Sequence, residues 1–178
     1  HAASAVASVT EGTTIEYKVG DGEWTTTAPS IKDVGEQDVS VRATNPNYET
    51  ATDECTLKVT PAAVTVTAKD SNKVYGADDP AFEAEVSGVV DDFEIVYTVT
   101  RPGAGTDENV GTYTDAIVAA GEATQGNYTV TYVPADFEIT KAGTLTVAAT
   151  GYEGVYDAAE HAASAVASVT EGTTIEYK

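Results

Sequence analysis

The chain has 178 residues, of which 42% are hydrophobic, and a formal charge of −20 from 29 acidic and 9 basic residues. That apolar fraction suffices for a packed core and argues against global disorder, while the anionic surface argues against nucleic acid or anionic lipid as a partner. No stretch reaches the roughly 20 apolar residues of a membrane-spanning helix, and the single cysteine, Cys55, excludes a disulfide within the chain.

The apolar set is mostly Val, Ala and Tyr, accompanied by abundant Thr. Such residues suit pleated, half-buried strands, and nothing sustains a helical period. Ala2 to Val9 is alanine-rich, but its similarity to Phe82–Val86 marks it as a strand. Ile15, Tyr17 and Val19 alternate, and Asp21-Gly22 is a hairpin signal. Trp24 follows, either covering a hairpin in the core or offering a sugar-stacking platform. Val39–Ala43 reads as a strand and Asn45-Pro46-Asn47 as a turn. In Cys55-Thr56-Leu57-Lys58-Val59 alternate residues share a face, so Cys55 is expected to face the core with Leu57 and Val59.

Further strands are expected at Val64–Ala68, Phe82–Val86, Glu94–Val99, Gly111–Val118, Tyr128–Tyr132 and Asp136–Thr140. Asp78-Asp79-Pro80 makes a turn, and Arg101-Pro102-Gly103-Ala104-Gly105 a loop. Short alternating strands separated by turn signals are the pattern of a sandwich.

Residues 161–178 repeat residues 1–18 letter for letter, so a unit of 160 residues begins again at His161. A weaker repeat lies inside it. Ile15-Glu16-Tyr17 resembles Ile95-Val96-Tyr97, Val34-Gly35 resembles Val110-Gly111, and Asn47-Tyr48 resembles Asn127-Tyr128. Leu57 and Val59 correspond to Phe137 and Ile139, Val64 and Val66 to Leu145 and Val147, and Val74-Tyr75 to Val155-Tyr156. The offset stays near 80 residues. The expected fold is therefore all-β: tandem Ig-like β-sandwich domains of about 80 residues in an elongated array. Residues 1–61 form a domain lacking its first strand, 62–142 a complete domain, and 143–178 the first strands of the next copy of the 1–61 domain. Because the chain begins inside a repeat, its natural N-terminus is expected upstream.

Val74-Tyr75-Gly76-Ala77-Asp78-Asp79-Pro80-Ala81-Phe82, Val110-Gly111-Thr112-Tyr113, Gly126-Asn127-Tyr128 and Phe137-Glu138-Ile139-Thr140-Lys141-Ala142 together resemble the MBG-type repeats of bacterial surface proteins. The 1–61 domain is similar to a related Ig-like surface repeat, with Asn47-Tyr48 retained and Asp157 in place of the glycine. The resemblance implies an extracellular cell-surface or cell-wall location, in a stalk, adhesin or fibre. The alternative within that frame is an adhesin module that recognises a host glycan or protein.

Catalytic chemistry is not expected. The only histidines are His1 and its copy His161, and no nucleophile–base constellation is visible. Acidic neighbours such as Asp78-Asp79 and Asp91-Asp92 point to opposite strand faces and read as turn formers. Those four are the candidates for a Ca²⁺ site, which requires several converging oxygens. Lys58, Lys69 and Asn127 are the residue types of an isopeptide bond, without a convincing triad. Asn127-Tyr128-Thr129 matches the glycosylation sequon.

The missing strand matters most. Leu145, Val147, Val155 and Tyr156 are expected to fill the gap in a 1–61 body, at roughly 1.5–3 kcal/mol for each buried side chain. Copies of the chain joined head-to-tail, in one polypeptide or by strand exchange between molecules, would supply that strand.

Overall fold

A computed structural model describes residues 1–178 and contains thirteen strands and no helix. β1 (Thr14–Val19), β2 (Gly35–Asn45) and β3 (Tyr48–Val59) form one antiparallel sheet in that order. Alternation decides its inner face: Tyr17, Val39 and Val41 are buried there with Ala3, and Ala5, Ile15, Val19 and Leu57 pack around them. The Asn45-Pro46-Asn47 turn joins β2 to β3, with the Asn47 backbone N–H donating to Asn45 Oδ1 at 3.0 Å.

The next segment is a two-sheet sandwich. One sheet has the order β6 (Ala84–Ser87), β4 (Ala62–Ala68), β10 (Tyr128–Val133), β9 (Thr124–Gln125). The other has the order β5 (Ser71–Val74), β11 (Ala135–Thr140), β8 (Gly111–Ala120), β7 (Thr98–Thr100). β4 runs parallel to β10, and β5 runs parallel to β11. The chain thus crosses between sheets at Lys69-Asp70. Val64, Val66, Ala68, Tyr128 and Val130 from one sheet meet Ile117, Ala119, Ala135, Phe137 and Ile139 from the other, with Ile95 between. Phe82 packs edge-on against Phe137, centroids 5.8 Å apart. Because Ile117 is wholly buried, Ile117→Val is expected to cost about 0.5–1.5 kcal/mol, measured as a shift in the denaturant midpoint with an unchanged m-value.

Some elements differ from the sequence reading. β5 has no counterpart in it. β6 begins two residues later than expected, at Ala84. The strand expected over Glu94–Val99 shrinks to β7, because a side chain replaces a neighbouring strand. Gln125 Oε1 accepts from the Val96 N–H at 2.8 Å and its Nε2 donates to Val96 O at 2.9 Å. β8 carries an irregularity at Asp115, whose φ is 54° and whose N–H donates to Asp136 Oδ1. Cys55 is exposed rather than buried: its face of β3 is uncovered, so the expected side is right but the core above it is absent.

The last two strands, β12 (Val147–Thr150) and β13 (Ser164–Ala167), form an antiparallel pair by themselves. An isolated pair of strands is marginal in water, and Val147 remains 64% exposed in it.

Candidate functional site

Residues 4–7 and 164–167 have the same sequence, Ser-Ala-Val-Ala, and different structures. The second copy is strand β13. The first belongs to no strand, although Ala3, Ala5, Ala7 and Val9 still turn inward in alternation. Local propensity is identical in the two, so the cause is the partner. β13 has Val147–Thr150 to pair with, and Ser4–Ala7 has nothing equivalent.

A groove of about 680 Å³ lies beside the 1–61 sheet, lined by Ala5, Ala7, Ile15, Val41, Ala51 and Cys55 among others. Tyr48 at its end is 61% exposed, whereas its counterpart Tyr128 is 1% exposed. Tyr128 is covered by the first strand of its own domain, with which it pairs at Ala62. Its hydroxyl donates to Asp91 Oδ1 at 2.6 Å and accepts from the Val90 N–H at 3.2 Å.

The register of the terminal pair matches that of the complete domain. There, Val66 pairs with Val86, Thr67 with Glu85 and Ala68 with Ala84. In the terminal pair, Val147 pairs with Ala167, Ala148 with Val166 and Ala149 with Ala165. Each residue is displaced by 81 positions from its counterpart. The edge of β4 that bonds β10 corresponds to a free edge on β12.

Of the four residues expected to fill the gap, two have buried counterparts. Val64 and Val66, equivalent to Leu145 and Val147, are 1% and 0% exposed. Val74 and Tyr75, equivalent to Val155 and Tyr156, stay about half exposed. Leu145 and Val147 are thus equivalent to core positions of the 62–142 sandwich, and Val155 and Tyr156 to half-exposed ones.

A charged cluster closes the far end of the complete domain. Arg101, with its side chain 1% exposed, donates from Nε and Nη2 to both oxygens of Asp79 at 2.8 Å. It also donates to Asp107 O and Glu108 Oε1, and stacks on the Phe137 ring. Lys73 Nζ lies 2.8 Å from Asp79 Oδ1 and also contacts Glu108. Hydrogen bonds from Lys73, Gly105 and Arg101 hold the Glu108 carboxyl down to about 2, and those from Arg101 and Lys73 lower that of Asp79. Two cations meet two anions, so the cluster is neutral and its donors are engaged. It pins the 101–108 loop and the Asp78–Pro80 turn onto β5. Sequence reasoning missed Lys73, Arg101 and Glu108. No sequence signal marked them, because Ser71–Val74 carries no apolar alternation and its inward residue is a lysine.

The Ca²⁺ candidates are distributed accordingly. Asp79 serves Arg101 and Lys73, Asp91 accepts from Tyr128 and from the Phe93 N–H, and no group of three or more His, Cys, Asp or Glu side chains converges. Trp24 is half-buried, with Arg42 4.4 Å and Lys18 5.4 Å from its ring centroid, so cations already occupy its π-face. Lys58 pairs with Glu36 and Lys69 with Glu83. Asn127 bonds residues 33 and 34, away from both lysines.

The turn after β5 supplies the family signature. The Ala77 N–H donates to Val74 O at 3.0 Å across Tyr75-Gly76, and Gly76 has φ +83°, the glycine position of a type II turn. No curated protein and no solved structure shows a significant match to the chain. Residues 64–138 match the MBG domain of the YGX type, within the 62–142 sandwich. MBG domains are repeat modules of extracellular surface proteins. Residues 64–138 are thus an MBG-type domain.

Proposed function

We propose that the chain is the repeating unit of an extracellular surface stalk, in which each copy of residues 143–160 completes the 1–61 body that follows it. The observation that carries this reading is the pair of structures adopted by Ser-Ala-Val-Ala: a strand where Val147–Thr150 precedes it, and no strand where it does not. In the completed body, Val147 pairs with Ala7 and Thr150 with Ser4, as Val147 and Thr150 pair with Ala167 and Ser164. The other edge of the same strand runs parallel to β3 and covers Tyr48, as β4 covers Tyr128.

The order of the segments favours an array in one polypeptide. Residues 143–160 already pair with the body residues that follow them, so exchange into another molecule would displace an identical strand. The function is mechanical and spatial: sandwich domains in series hold a terminal activity away from a cell envelope. The charge of −20 keeps neighbouring stalks apart.

The test is a polypeptide extended by one further 160-residue unit. Its second body is preceded by residues 143–160 and its first is not. Amides of Ser4–Ala7, and those of Tyr48–Asp53 that point away from β2, are expected to be protected from hydrogen exchange in the second body and open in the first. Equal exchange in both bodies would refute the reading.

A further inference from the structure

The two domains before residue 142 touch through the Asn-Tyr repeat. Asn127 Oδ1 accepts from the Val34 N–H at 2.8 Å, and its Nδ2 donates to Asp33 Oδ1 at 2.9 Å. These bonds span more than 90 residues of chain and join the end of one domain to the start of the next. Asn127 is half-buried as a result. The Ala62 N–H donates to Asn127 O at 2.9 Å, so the latch sits against the linker itself.

Every part of this joint recurs in the repeat. Asn47 occupies the position of Asn127, in the same Asn-Tyr pair. Asn109-Val110 occupies the position of Asp33-Val34. Strand pairing supports that equivalence, because Gly35 faces Val59 and Gly111 faces Ile139, in register with the corresponding partners. In the present chain both halves of this second joint are free. The Asn47 side chain is exposed and makes no hydrogen bond, and the Val110 N–H has no partner.

We infer that Asn109-Val110 of one unit latches onto Asn47 of the following copy, with the two hydrogen bonds that Asp33-Val34 makes to Asn127. Asn47 Oδ1 accepts from the Val110 N–H, and Asn47 Nδ2 donates to the side-chain oxygen of Asn109. An asparagine replaces the aspartate without loss, because the latch uses that side chain only as an acceptor. Both kinds of joint in the array then have one geometry, and the partner surface is a second copy of this chain. The inference deepens the array reading and rests on it, since the following copy must lie in series.

The same extended polypeptide tests it with a separate readout. The Val34 amide of each unit is the internal reference. The first unit's Val110 amide is expected to exchange about tenfold more slowly than in the 178-residue chain. Asn47→Ala in the second unit should abolish that protection, and Asn109→Asp in the first, which recreates the Asp33 acceptor, should retain it. Unchanged Val110 exchange in the extended polypeptide would overturn the latch, whether or not the Tyr48–Asp53 amides are protected. Protected groove amides with an open Val110 would leave the array standing without the latch. Protection of Val110 that survives Asn47→Ala would also overturn it.

Discussion

Replacing Arg101 by methionine is expected to destabilise the 62–142 sandwich by about 3–5 kcal/mol, the usual consequence of removing one partner from a buried ionic network. The guanidinium makes three hydrogen bonds to carboxylates and one to the Asp107 carbonyl, and lies over Phe137. Without it Asp79 keeps only Lys73, and the 101–108 loop loses its anchor. At about 4–8 °C for each kcal/mol in a domain of this size, calorimetry should register the change easily. A midpoint within about 3 °C of the parent, a margin well below that expectation, would show that Arg101 is dispensable. Replacing Lys73, Asp79, Arg101 and Glu108 together by apolar residues should cost less than the single change, because no buried charge is left alone.

The same cluster contributes to the acid limit of the domain, together with Asp91, whose carboxyl the Tyr128 hydroxyl holds below its usual value. Glu108 and Asp79 have folded-state values below their usual ones. A depressed carboxyl contributes stability that is complete above its unfolded value, near 4, and is lost as pH falls through the folded value. The unfolding free energy should therefore be flat down to about pH 4.5 and decline toward pH 2, the region of Glu108. In the methionine variant the decline should be shallower, since fewer donors then favour the ionised carboxylates. Lys73 is shifted upward, so its share is present throughout this range and fades only above the ordinary lysine value.

How much of this was legible in the sequence depends on the period of each segment. β4, β10 and β11 alternate cleanly between core and solvent, β8 does so on either side of the irregularity at Asp115, and all four lie where alternation places them. β5 was not legible, since Ser-Asn-Lys-Val carries no apolar alternation and its inward residue is a lysine held by two carboxylates. Glu94–Tyr97 alternates like a strand but bonds to the side chain of Gln125, a substitution that no periodicity reveals. Cys55 shows the same limit from the other side: its face was readable, but alternation does not say whether anything covers that face, and here nothing does. The repeat itself located the candidate site, because displaced identity and register are properties of sequence. Correspondence in sequence does not say which counterparts are buried: those of Leu145 and Val147 are, and those of Val155 and Tyr156 stay half exposed.

Leu145→Ala and Val147→Asp should be nearly silent in one context and severe in another, and that contrast tests the array most directly. In the 178-residue chain Leu145 and Val147 are more than half exposed. Both substitutions should there stay within about 0.5 kcal/mol of the parent. In the two-unit polypeptide the same residues precede a full body, where their counterparts Val64 and Val66 are almost completely buried. Leu145→Ala should then cost that body about 2–5 kcal/mol. Val147→Asp places a carboxylate where no cation waits, and burial of an unpaired charge is more costly still. A domain stable by about 5–15 kcal/mol would come close to unfolding. Thermal melts of both lengths, parent and variant, distinguish the two cases, with the 62–142 domain as an unaltered reference transition. Equal small effects in both lengths would mean that residues 143–160 never enter the groove. The charge variant adds a pH dependence: protonation of the buried aspartate below its raised value should restore part of the lost stability in the two-unit chain alone. The exposed aspartate of the shorter chain has no such dependence to show.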